Sequence, residues 1–176
     1  GFDVIPELVA WCQQEITPRY PQFRFQVADV YNGEYHPPGA AAAARYRFPY
    51  ADASFDFVLL VSVFTHMLPD DVYHYLAEIA RVLKPGGTVY ASYYLLDDES
   101  RSAILRGEAR LAFTDAKDGY ATLPDLSQEY ALALCDSTVR LTHEKVGLRI
   151  RATQLGLWRQ NINQWAGQDV LIAERL

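Results

Sequence analysis

The residues from Phe55 to Leu96, FDFVLLVSVFTHMLPDDVYHYLAEIARVLKPGGTVYASYYLL, constrain the fold more than any other stretch. Phe55 to Val61 is a nearly unbroken apolar run of strand length, the pattern of a central strand buried on both faces. A short polar turn follows. From about Pro69 to Leu83, the residues Val72, Tyr75, Leu76, Ile79, Ala80 and Leu83 recur at helical spacing. Asp70 and Asp71 stand in the first turn and Arg81 and Lys84 at the end, both matching the helix dipole. Pro85 disfavours helical geometry at Lys84, and Gly86-Gly87 supply positive φ angles for a turn back into a strand over Thr88 to Leu96. A strand, helix, strand unit of this kind belongs in a parallel sheet covered by helices, whose ligand sites lie at the carboxyl ends of the strands. Ser62 to His66 sit at such an end.

The flanking sequence extends this α/β pattern. Gly1-Phe2-Asp3-Val4 reads as the last residues of a strand, and Pro6 suits the first turn of a helix that runs to about Thr17 before Pro18. Phe23, Phe25 and Val27 alternate with polar neighbours and predict a strand ending at Asp29. Tyr31 to Ser54, with Pro37-Pro38-Gly39 and five consecutive alanines, is expected to be a long loop with at most a turn, because five alanines cannot sustain an isolated helix. Asp97 or Asp98 is placed to cap a helix through about Arg106, and Ser127 another through about Val146. Leu148 to Gln154 and Asp169 to Ala173 then predict an antiparallel pair.

Half of the 176 residues are hydrophobic, enough for one well-packed domain. A net charge of −6 argues against nucleic acid or an anionic membrane surface as the main partner, since both select a basic face. No signal-like segment opens the chain and the apolar run at 57–64 is far short of a membrane span, so a soluble, cytoplasmic protein without membrane association is expected. Cys12 and Cys135, the two cysteines, both fall in segments read as helical and are expected to be reduced core residues; no metal-ligand spacing accompanies them.

Four pieces together resemble the class I S-adenosylmethionine-dependent methyltransferases: Gly1-Phe2-Asp3 closing a strand, Asp29 closing the next, FPYADASFD from Phe48 to Asp56, and Leu83-Lys84-Pro85-Gly86-Gly87 before a strand. The resemblance covers essentially the whole chain. It implies a Rossmann-like, mostly parallel sheet flanked by helices, with an antiparallel C-terminal strand. The family's first strand and its Gly-rich loop have no counterpart from Gly1 onward. Residues 1–176 are therefore expected to be a single, N-terminally incomplete methyltransferase domain, completed by a preceding or partner segment; a homodimer is left open.

The resemblance assigns roles residue by residue. Asp3 would accept hydrogen bonds from the ribose hydroxyls of S-adenosylmethionine, with Val4 and Ile5 against the adenine, although a turn-capping role also suits this aspartate. Asp29 would accept from the adenine amino group, with the Val30 amide facing the ring; an Asx turn is the competing role. Ser62 and Val63 would hold the amino-acid end of the cofactor through their backbone. His66 is the candidate general base, since a histidine near neutral pKa can take a proton from a hydroxyl or amine acceptor; packing or capping is the alternative. His74, inside the helix, reads as a packed or solvated residue. Tyr93 and Tyr94 should point to opposite faces by strand alternation, with Tyr94 a substrate candidate beside Trp158, Arg159 and Asn161. Tyr31 to Tyr50 and Phe113 to Tyr130 are the segments from which a substrate lid would be built.

The function implied is methyl transfer from S-adenosylmethionine to a small molecule. A catalytically inactive methyltransferase-like binding or scaffold protein is the alternative. A nicotinamide-dependent dehydrogenase, which also uses an acid at the end of its second strand, is disfavoured by the Lys-Pro-Gly-Gly turn and the antiparallel C-terminal pair.

Overall fold

In the computed structural model, which describes residues 1–160 and 167–176, Gly1–Tyr46 and Arg47–Leu176 fold as two units. The first is built on β1 (Phe2–Asp3), α1 (Pro6–Glu15) and β2 (Gln26–Val27), with β1 and β2 parallel and Asp3 opposite Val27. Pro6 stands where a helix has no use for an N–H, and Val9 is the buried residue of α1. The strand expected over 23–27 is cut to two residues, because Phe23 donates its amide to the Tyr20 carbonyl at 2.9 Å and folds its ring edge-on to Tyr20. The loop after Asp29 closes on itself: the Tyr31 amide donates to the Ala41 carbonyl at 2.8 Å, the Ala41 amide donates to the Asp29 carbonyl at 3.0 Å, and Asn32 Oδ1 accepts from the amides of Glu34 and Tyr35. The alanine run yields a single 3-10 turn, Ala43–Arg45, as expected.

The second unit starts with β3 (Phe55–Leu60), α2 (Pro69–Val82) and β4 (Leu83–Tyr93), the predicted strand, helix, strand order. β5 (Leu95–Leu96), α3 (Asp98–Leu105), β6 (Asp115–Ala116), β7 (Tyr120–Thr122), β8 (Leu132–Cys135), α4 (Asp136–Lys145), β9 (Leu148–Gln154) and β10 (Asp169–Arg175) follow. The main sheet has the order β3-β4-β10-β9; β3 and β4 are parallel, and β10 runs antiparallel to both of its neighbours, as the C-terminal pattern predicts. The result is a mixed α/β fold of sheets and helices. Among the described residues no helix is long and apolar enough to cross a membrane.

Four expectations need correction. β3 is not buried on both faces: it is an edge strand, and alternate residues Phe57, Leu59 and Val61 are 54%, 59% and 59% exposed while Leu60 is buried. An apolar run records a residue type, not the cover over it. The strand predicted from Thr88 to Leu96 instead starts at Leu83, with Phe55 opposite Leu83 and a register shift before Phe57, and its last two residues leave for a second sheet. Only Gly86 takes a positive φ, of 77°; Gly87 is required by space, since a Cβ there would meet the carbonyls of Lys84 and Asp56. The helix predicted from Ser127 to Val146 forms only from Asp136; residues 120–135 supply β7 and β8 of the second sheet, ordered β5-β8-β7-β6, which places Cys135 at a strand end. Cys12 lies in α1, and both cysteines are free and half-buried.

Candidate functional site

In the first unit the two carboxylates stand at the carboxyl ends of β1 and β2, on the exposed surface. Asp3 Oδ1 accepts from the Ile5 amide at 2.9 Å, the turn-capping contact, and Asp3 Oδ2 has no partner among the described residues. Asp29 Oδ1 accepts from His36 Nε2 at 3.1 Å and from the Ala40 amide at 3.3 Å, again leaving Oδ2 without one. The Asx role and an outward-facing acceptor thus coexist on each residue. Val4 and Ile5 are half-buried after Asp3. Val30 is buried and its amide donates to the Ala28 carbonyl at 2.8 Å; the amide expected to face an adenine ring is already committed.

In the second unit β3 ends at a strained residue. Ser62 has φ of +56°, a conformation that costs a residue bearing a Cβ about 1–2 kcal/mol. Three strands hold it there. The Ser62 amide donates to Ser92 Oγ of β4 at 2.8 Å, Ser92 Oγ donates to Gln168 Oε1 beside β10 at 2.6 Å, and Gln168 Nε2 donates to Ser62 Oγ at 2.8 Å. Val63 follows, half-buried, and leads into the 3-10 turn Phe64–His66. The carbonyl of Glu129 can only accept, so His66 Nδ1, 3.1 Å away, carries the proton, and Nε2 is the basic nitrogen of the neutral ring. Thr65 is fully buried and its hydroxyl has no hydrogen-bond partner among the described residues. His74 lies on α2 edge-on to Tyr75 at 6.5 Å, the packed position expected of it.

Tyr93 and Tyr94 point to opposite sides, as strand alternation requires. Tyr93 is fully buried, stacked on Phe64 at 5.1 Å, with its hydroxyl 3.5 Å from His143 Nε2. Tyr94 is half-buried against Phe113 and Trp158 at 5.1 and 5.5 Å. Burial, more than the nearby Asp169, pushes the Tyr94 hydroxyl above its ordinary pKa against the opposing hydrogen bond with Gln168. Trp158 and Arg159, expected at a substrate, are instead committed to the interior. Trp158 is fully buried with Nε1 donating to Asp169 Oδ2 at 2.8 Å; Arg159 donates through Nε to Asp169 Oδ1 at 3.1 Å and through Nη1 to both oxygens of Asp97 at 2.7 Å. Their polar atoms are used up holding the start of β10 to the β5–α3 junction. Asn161 lies outside the described residues. Phe113, in the second predicted lid segment, is likewise core.

Ser92 and Gln168 are the residues that sequence reading missed. Ser92 had a weak signal, a polar residue among apolar ones near the carboxyl end of a strand. Gln168 had none, because its partners lie 76 and 106 residues earlier in the chain.

Solved structures with the same fold include a SAM-dependent methyltransferase from Methanosarcina mazei (17% identity, TM-score 0.58, covering all of this chain and 81% of the other). A second is the 1,6-didemethyltoxoflavin-N1-methyltransferase of Burkholderia thailandensis, crystallised with 1,6-didemethyltoxoflavin and S-adenosylhomocysteine (16%, 0.58, 99% and 59%). A third is a [4+2]-cyclase (14%, 0.60, 99% and 65%). This chain therefore spans between about three fifths and four fifths of the length of these neighbours. A family model for the methyltransferase domain matches residues 1–91, more than half of the chain and the part that holds Asp3, Asp29, Ser62, Val63 and His66. This chain belongs to the methyltransferase domain family.

Proposed function

We propose that this chain is the greater part of one methyltransferase domain that takes its methyl group from S-adenosylmethionine and gives it to a small molecule. The family match over residues 1–91 carries this reading, since it contains every proposed cofactor residue. Each unit offers groups whose chemistry suits one part of the cofactor. Asp3 and Asp29, each with an uncommitted Oδ2 at a strand end, suit the ribose hydroxyls and the adenine amino group, while the half-buried Val4 and Ile5 offer apolar surface to the ring. Ser62 and Val63 suit the methionine end through a backbone held in one conformation.

S-adenosylmethionine, when bound, supplies a methyl group on a positively charged sulfur. The work of the chain is to bind and orient, because an in-line displacement is accelerated chiefly by placing two reactants and excluding water. His66, whose Nδ1 donates to the Glu129 carbonyl, is the residue assigned as the base that takes the proton of a hydroxyl or amine acceptor. Tyr94 is the residue assigned to the acceptor side.

One observation keeps a second reading in view: a [4+2]-cyclase shares this fold, and fold alone does not set chemistry. A binding or scaffold protein with this architecture would take the cofactor without turning it over. Titration calorimetry of the full-length protein with S-adenosylmethionine and with NAD tests the assignment. Binding of the first alone is expected, weakened by about 1–3 kcal/mol in Asp3→Ala, the cost of a hydrogen bond to a charged group. Failure of both ligands to bind ends the reading; binding without methyl release to any of a panel of small hydroxyl and amine acceptors selects the scaffold.

A further inference from the structure

The hydrogen bonds around Ser62 close into a ring. The Ser62 amide donates to Ser92 Oγ at 2.8 Å, Ser92 Oγ donates to the carbonyl oxygen of Gln168 at 2.6 Å, and the Gln168 amide nitrogen donates to Ser62 Oγ at 2.8 Å. The Ser62 hydroxyl, having accepted, can still donate its own proton. Ser92 is buried and stands opposite Val170 in the β4–β10 register, while Asp169, next to Gln168, is anchored by the amides of Leu95 and Gly156 and by Trp158 and Arg159. The ring therefore ties the ends of β3, β4 and β10 to a fixed point.

We propose that Gln168 is a positioning residue for the cofactor: through Ser92 and Ser62 it locks the left-handed turn after β3 and so fixes the Ser62–Val63 backbone for the methionine end of the ligand. This inference rests on the S-adenosylmethionine reading above. A glycine would make the same turn without strain, so a serine held there by two further side chains is the arrangement of a site that is over-determined by its surroundings.

The test uses the full-length protein and S-adenosylhomocysteine as the probe, with amide exchange at Ser62 read without ligand. Gln168→Ala is expected to speed exchange of the Ser62 amide and to raise the dissociation constant about tenfold, with the melting temperature unchanged within about 2 °C. Ser92→Ala is expected to do the same. In a Ser62→Gly background, where the turn carries no strain and no Oγ, Gln168→Ala should change binding by less than about twofold. Equal losses in both backgrounds, or an early melt of Gln168→Ala, would show that Gln168 acts on the ligand directly or on the fold at large, and would overturn the proposal. Tight wild-type binding with no loss in Gln168→Ala sinks this inference alone; a wild type that binds no S-adenosylhomocysteine removes the cofactor reading and this one with it.

Discussion

Asp169 accepts four hydrogen bonds while fully buried, from the amides of Leu95 and Gly156, Trp158 Nε1 and Arg159 Nε. Each is a bond to a charged acceptor in a dry place, and Arg159 is in turn clamped by both oxygens of Asp97. Burial pulls the Arg159 guanidinium down, yet its two carboxylates outweigh that and hold it above its ordinary pKa. Removing Asp169 would leave a buried cation with half of its partners and three donors unanswered. Asp169→Ala should therefore cost about 3–5 kcal/mol, the loss typical of one partner taken from a buried pair. Urea unfolding with an unchanged slope measures it, and a loss below about 1 kcal/mol would place this cluster among ordinary surface ion pairs. Trp158 and Arg159 looked like rim residues in the sequence because a tryptophan and an arginine between two strands suit either role. Their acceptor, eleven and ten residues on in an apolar strand, decides between them.

At the scale of elements, the irregularity near the start of β4, where its pairing with β3 jumps from Leu83 to Thr88, is the sharpest local device in the chain. Gly86 supplies the positive φ of 77°, and Gly87 lets the backbone pass where a Cβ would stand 2.9 Å from the Lys84 oxygen and 3.2 Å from the Asp56 oxygen. Gly87→Ala should destabilise by about 1–3 kcal/mol, since two of the three obstructing atoms are backbone oxygens, one of them in the adjacent strand, and the third is Leu83 Cδ2 at 3.1 Å. Thermal unfolding checks this; a neutral substitution would mean that the β3–β4 pairing yields at its bulge between Phe55 and Phe57. The break at the two glycines was legible because Pro and Gly act locally, although the strand begins before them at Leu83, and so were α2, with its apolar stripe and end charges, and the antiparallel β9–β10 pair. What escaped was decided at a distance. Residues 120–135 alternate too weakly to reveal β7 and β8, and they form strands because Ala121, Ala131 and Ala133 pack with Leu96, Phe113 and Trp158. The candidate site divides the same way. Asp3, Asp29 and Ser62 follow from where strands end, whereas Gln168 is assigned only by a fold that returns it to β4.

Across the molecule, buried titratable groups set how stability varies with pH, and they act in separate windows. His143 is buried among Val139, to whose carbonyl Nδ1 donates at 2.9 Å, and Tyr93; burial, reinforced by Arg140, holds its pKa below the ordinary 6.5. The unfolded chain takes up that proton first, so stability is intact above pH 6.5 and falls as pH drops from there toward the lowered folded value. The carboxylates act lower. The Arg81 hydrogen bond lowers Glu78, and at Asp97 burial raises the pKa but the Ser100 amide and Arg159 more than reverse it. Both contribute stability above their unfolded values of 4.5 and 3.8, which is lost as pH falls through the folded ones. On the alkaline side burial lifts Tyr93 well above 10, so stability declines once the unfolded tyrosine ionises. Melting temperature against pH should thus descend in two acid steps rather than one. His143→Gln should flatten the upper step and leave the lower one in place. A variant that melts earlier but keeps the upper step would move that proton to another histidine, and the descent between pH 6.5 and the carboxylate range would then report a different part of the fold.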